Sequence, residues 1–236
     1  MNNSTNAVFP NNFISEWLES VRTFTARYKL AEGFSIQHQI EPPLPESRLA
    51  ALTSELAVRL PEAVRLFLTR GSRRCRLEYQ WEPTGSASEL LEEILDQAYV
   101  SGGADLCDAS ALVAQLKECH EWARETWIAE YPKDQEFWLN SLPISPLDNG
   151  DFLAVDLREA KADPPVVYLA HDDESRIIAP SFSAFLKTWA DLCYIGPEIW
   201  ILDHFIDNST GMLDASTPKA ERLRDVFRSA EQKGTS

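Results

Sequence analysis

The sequence predicts an α+β fold, a twisted antiparallel β-sheet with helices packed around it. Three observations lead there. Cys75 to Trp81 alternates, with Cys75, Leu77, Tyr79 and Trp81 on one face, the pattern of a half-buried strand. Three short apolar runs then lie between Phe152 and Ile178, separated by turn residues. Behind them Phe182, Phe185, Leu186 and Trp189 recur at i, i+3, i+4 and i+7, the face of an amphipathic helix.

Taken in order, residues 1–10 are polar and expected to be flexible. Phe13, Trp17, Val21, Phe24 and Tyr28 recur every three or four residues and predict a well-buried first helix, with Gly33 beyond its end. Glu41-Pro42-Pro43-Leu44-Pro45 breaks the chain. A helix then starts near Glu46-Ser47 and carries Leu49, Leu52, Leu56 and Val58. Pro61 suits the first residue of the next helix, where its missing N–H costs nothing. That helix carries Val64, Leu66, Phe67 and Leu68 and closes at Gly71. Gly85 to Leu95 reads as a short helix with an acidic outer face, and Ser101-Gly102-Gly103 as a flexible joint. Asp108 is expected to cap a longer helix reaching about Glu130 through Leu112, Leu116 and Trp122. The sector 86–130 is thus expected to be helical, and the sequence leaves open whether it packs on the sheet.

The stretch from Leu142 to Trp189 organises the rest. Asp148-Asn149-Gly150-Asp151 has turn chemistry, because Gly and Asn tolerate positive φ and Asp can bond its own backbone. Phe152, Leu153, Val155 and Leu157 predict one strand and Val166 to Leu169 a second. His171 to Arg176 is a charged turn, and Ile177-Ile178 a third apolar run. Ser181 stands where it would cap the Phe182 helix. Gly196-Pro197 opens a segment from Ile199 to Ile206 that reads as helix or strand. A last amphipathic helix, Thr217 to Ala230, uses Leu223, Val226 and Phe227. The expected organisation is a flexible 1–10, one domain over 11–195, and a helical extension, 196–236, packed on it.

Composition narrows the function. Hydrophobic content of 44% and charged content of 25% fit a globular domain. No apolar run nears the roughly 20 residues that span a bilayer. Met1 to Asn6 lacks the basic residues and apolar core of a signal peptide, so a cytoplasmic location is expected. Cys75, Cys107, Cys119 and Cys193 form no Cys-x-x-Cys pair and read as structural thiols. Cys119 and His120 are adjacent, which on a helix points them about 100° apart and suits no metal. The net charge of −15 argues against direct binding of nucleic acid, which needs cations for its phosphates, and against anionic membranes. It favours steered association with a basic protein. No cofactor or metal is expected.

Enzyme signatures are missing: there is no Gly-rich phosphate loop, no His-Glu-x-x-His and no Gly-x-Ser-x-Gly. His171-Asp172 and Asp203-His204 are neighbours in sequence, but adjacent side chains point different ways, so neither dipeptide is a dyad. No catalytic residue is assigned. Residues 147–174 carry a net charge of −6. Within them Asp148, Asp151, Asp172, Asp173 and Glu174 are the candidate partner-binding residues, with Asp148, Asp172, Asp173 and Glu174 expected to be exposed. Asp148 and Asp151 equally fit a role in shaping the turn, and Asp172-Asp173-Glu174 lacks the calcium-loop pattern.

This order of elements resembles the SUKH superfamily, of yeast cell-wall synthesis regulators and bacterial immunity proteins. Trp138 with Leu142-Pro143-Ile144, Gly150-Asp151 with Asp156-Leu157, Val166-Val167 with His171-Asp172, and Ser181-Phe182 with Phe185-Leu186 carry the resemblance. Leu60-Pro61-Glu62, Leu66-Phe67-Leu68 and Gly71 extend it upstream, over roughly residues 45 to 192. The chain departs by having one glycine before Asp151 where the family often has two, and Pro164-Pro165 where it often has a glycine. The resemblance implies the same fold and a non-catalytic, protein-binding role. The expectation is an immunity protein that neutralises a cognate, basic toxin domain, a nuclease being one candidate, through its acidic surface. The alternatives are a regulatory or scaffold protein of the same superfamily, further off an unfamiliar enzyme, and a structural or assembly subunit, for which the aromatic segment near Trp200 is the candidate exposed apolar patch.

Overall fold

The structure, a computed structural model, describes residues 9–10 and 12–233. The expectation for the N-terminus lies outside the described residues except at its end. There Phe9 is buried and stacks on Phe13, with ring centroids 5.2 Å apart, so the end of that segment is packed rather than free.

Helix α1 (Phe13–Tyr28) buries the face predicted for it. Strand β1 (Phe34–Ile40) follows and was not legible, because exposed Gln37, His38 and Gln39 interrupt the alternation. Helix α2 (Glu46–Leu56) buries Leu49, Leu52 and Leu56. Pro61 immediately precedes α3 (Glu62–Leu66), which runs into a π turn, Phe67–Gly71. Strand β2 (Cys75–Trp81) alternates buried and exposed residues as expected. It pairs antiparallel with β1, Gln37 opposite Glu78.

Helix α4 (Ser86–Leu95) precedes strand β3 (Val100–Leu106), which pairs antiparallel with β2. The helical sector 86–130 is therefore interrupted by a strand, and Ser101-Gly102-Gly103 is its interior rather than a flexible joint. Glycine is needed there for close approach. A Cβ on Gly102 would sit 2.3 Å from the Tyr194 carbonyl oxygen, and one on Gly103, at φ +101°, 2.1 Å from that of Leu77. The long helix expected from Asp108 is instead α5 (Leu112–Trp122) and α6 (Thr126–Ala129). Asp108 does not cap it: its carboxylate accepts from Ser110 N and Oγ in the turn before α5.

Helix α7 (Pro132–Leu139) leads into strands β4 (Ser141–Pro146), β5 (Phe152–Asp156), β6 (Val166–Leu169) and β7 (Arg176–Ala179). They pair antiparallel in sequence order. The strands thus divide between two main antiparallel sheets, which meet where Cys107 N donates to Ile144 O at 2.7 Å. Every residue of β5 and β6 is buried. Leu153, Val155, Val166 and Tyr168 join the main core on one face, with helix α8 (Phe182–Asp191). Phe152, Ala154, Val167 and Leu169 pack on the other face against Cys119, Ile128, Phe137 and Trp138. The middle sector therefore covers the sheet. As predicted, Ser181 Oγ caps α8, accepting from Ala184 N at 3.1 Å.

The chain then passes through a cis Gly196–Pro197 peptide into α9 (Ile199–Leu202), a short hairpin of β8 (Ile206–Asp207) with β9 (Met212–Leu213), and α10 (Pro218–Lys233). Leu223, Val226 and Phe227 of α10 are buried, Phe227 against Phe24 and Trp81. The C-terminal segment belongs to the same core. No helix among the described residues is long and apolar enough to cross a membrane.

Candidate functional site at the acidic end of the second sheet

Antiparallel pairing brings two turns to one end of the β4–β7 sheet. Phe152 lies opposite Leu169, so the β4–β5 turn and the β6–β7 turn are neighbours. The first turn is closed by Leu147 N donating to Asp151 O at 2.9 Å and Gly150 N to Leu147 O at 3.1 Å. Gly150 sits at φ +94°, which glycine adopts without strain.

Asp151 is 1% exposed and holds these turns together. Its Oδ2 accepts from Tyr168 Oη at 2.5 Å and Asn149 Nδ2 at 2.6 Å. Its Oδ1 lies 2.8 Å from both the backbone N and Nδ1 of His171. Tyr168 Oη in turn accepts from Ile199 N at 3.2 Å, which ties in the start of α9. Burial, reinforced by the Asp151 carboxylate, pushes the Tyr168 hydroxyl far above its ordinary range. Asp151 is therefore no partner contact. Its burial corrects the expectation that placed it on the binding surface, and its turn-shaping role extends to the β6–β7 turn and, through Tyr168, to the start of α9.

Asp148, Asp172, Asp173 and Glu174 are exposed. Glu174 pairs with Lys133, whose ammonium holds its carboxyl below the ordinary range. Asp173 Oδ1 accepts from Glu174 N at 2.7 Å. The turn is anchored from below, where Ser175 N donates to Asp134 Oδ1 at 2.7 Å. Beside it Arg176 pairs with Asp203. Sequence reasoning missed Glu198 here, and it singled out the segment near Trp200 only as a candidate apolar patch. Glu198 stands partly buried before α9, and Trp200 is 54% exposed. Only the three-dimensional joining of 196–198 to the 146–148 turn reveals Glu198.

The arrangement offers little chemistry. His171 pairs with Asp151, not with its neighbour Asp172, whose carboxylate is 3.8 Å from Nδ1. Its ring lies against Trp122, with centroids 5.7 Å apart. Asp151, His171 and Asp172 could bring three ligand atoms within 4.8 Å of one another. However, Asp151 already faces four donors, about as many as a carboxylate has lone pairs, which leaves it little to offer a cation. Burial pushes the Cys75 and Cys193 thiols up to about 12, and Cys107 and Cys119 higher still, so none is a ready thiolate nucleophile.

A sequence model of the SMI1 / KNR4 family (SUKH-1) matches residues 43–188, more than half of the chain. The match runs from the approach to α2 into α8 and includes the two acidic turns, but not β1, Glu198 or α10. No curated protein matches the chain.

Proposed function

This chain belongs to the SMI1 / KNR4 family (SUKH-1), and on that premise we propose that it is a non-catalytic protein-binding domain of the immunity type. It binds a cognate toxin domain with a basic surface, a nuclease being one candidate, and neutralises it by occlusion. The supporting observation is the set of exposed carboxylates, Asp148, Asp172, Asp173 and Glu174, gathered on adjoining turns at one end of a sheet. A net charge of −15 adds long-range attraction for a basic partner. Complementary charge across an interface speeds encounter and selects partners more than it adds affinity.

The test is co-expression with the toxin-domain-sized product of the adjacent upstream gene. The reading requires that this product stop growth alone and that the present chain restore growth through a stable complex. Replacing Asp172 and Asp173 by Asn should slow association and flatten its dependence on salt, read by stopped-flow at two ionic strengths. Neither toxicity nor a complex would shift the assignment to a regulatory or scaffold role.

A further inference from the structure

The outer face of the β1–β2–β3 sheet is polar and exposed, with Ser35, Gln37, Arg76, Glu78 and Gln80 pointing outward. Its β3 side is flanked by two walls, Pro146–Asp148 and Gly196–Glu198, and the groove between has a volume of about 470 Å³. We propose that this groove receives a lysine or arginine side chain from an extended segment of a partner protein, with Glu198 and Asp148 as its counter-charges. The proposal rests on the protein-binding reading and names the chemistry of the partner's contact.

Several observations carry it. Glu198 Oε2 is enclosed and, among the described residues, has no hydrogen-bond partner. A buried acceptor left without a donor costs about 1–3 kcal/mol, more if charged, so the carboxylate gains by meeting a cation. Asp148 stands on the facing wall, close enough that its charge joins burial in holding the Glu198 carboxyl above its ordinary range. Among the described residues no cation lies within ion-pair distance of Glu198 or Asp148. The other acids of the groove are already matched: Asp105 by Arg74 and Glu78 by Arg76. Gly103, opposite Glu78 in the sheet, presents no side chain to the groove. Trp200, two residues beyond Glu198, is exposed, and tryptophan is over-represented among the residues that dominate protein interfaces.

Charge selects the occupant. A second copy of a chain with net charge −15 would be repelled, and a nucleic acid would present phosphates to two unpaired carboxylates. Glu198 lies outside the segment that the family model matches, so the groove joins a wall inside that segment to one beyond it.

Titration of the isotope-labelled full chain with an acetylated, amidated Thr-Val-Arg-Val-Thr peptide, followed by NMR, tests the proposal without any toxin. A twin peptide with norleucine for arginine is the control. Shifts should concentrate at 101–105, 146–148 and 196–198, the Glu198 carboxyl should titrate at lower pH with peptide bound, and the twin should not bind. Glu198→Gln with Asp148→Asn should weaken binding about tenfold or more, with the dispersed spectrum confirming that the variant is folded. Four outcomes would each overturn the assignment: equal binding of the twin, shifts elsewhere, indifference to the double variant, or no shift up to about 10 mM peptide. Arginine methyl ester binding as well as the peptide would reassign the groove to small cations. A toxin complex indifferent to both substitutions would remove the groove while leaving the immunity reading intact. Failure of co-expression alone would leave the peptide result standing.

Discussion

Asp151 Oδ1 lies 2.8 Å from both the backbone nitrogen and the Nδ1 of His171, so one buried carboxylate fixes the relation of two surface turns. Its other oxygen takes the Tyr168 hydroxyl, and through it reaches α9. The exposed acids keep their spacing because a buried acid beneath them is fully hydrogen-bonded.

Asp151→Ala should therefore cost about 3 kcal/mol, because the His171 N–H and the Tyr168 hydroxyl lose a charged acceptor in a buried place. Asp172→Ala, at an exposed neighbouring position, should stay within about 0.5 kcal/mol. Urea denaturation of both variants checks the contrast. Equal effects would mean that Asp151 does not organise the turns.

Gly103→Ala distinguishes a strand from a joint. At φ +101°, with a Cβ only 2.1 Å from the Leu77 carbonyl oxygen, alanine should cost about 2 kcal/mol or more. A flexible joint would accept it at no cost. The midpoint of thermal unfolding decides between them.

Glu198 gives the stability curve a defined slope. Burial raises its folded-state pKa, so the folded chain holds this proton more tightly than the unfolded chain. The favourable contribution is complete below the ordinary carboxylate value and is lost as pH rises through the folded value. Glu198→Gln, which has no charge to desolvate, should accordingly be more stable than the wild type at about pH 7 and lose that advantage toward about pH 4. Denaturant midpoints across this range measure the difference. A constant offset would show that ionisation of Glu198 is not its source.

The cysteines should report burial. With thiols raised by desolvation, Cys75, Cys107 and Cys119 should react with a disulfide reagent only as fast as the chain opens, and Cys193, which shows some surface, should react first. All four should react at once in denaturant. Rapid native labelling of Cys107, which is fully buried, would contradict the packing.

The sequence by itself determined the α+β class, the strand at 75–81, the sheet-and-helix unit from Leu142 to Trp189, and the cap at Ser181. Each is a local pattern: a period of two or of 3.6, or a hydroxyl placed before an apolar run. It also marked the turns that carry the exposed acids, because turn chemistry is local too. It missed β1, an edge strand whose polar residues do not alternate, and took Gly102-Gly103 for a joint. Glycine reads alike in sequence whether it serves freedom or close approach, and only the nearness of Leu77 and Tyr194 separates the two.

Tertiary structure alone decided which acids face water. Asp151 and Asp148 belong to one tetrapeptide, yet one is enclosed by Tyr168 and His171 while the other is open. It also brought Glu198 from the C-terminal segment to the wall facing Asp148. Burial and charge pairing depend on neighbours distant in the chain, and no local pattern of residue types encodes which neighbours those are.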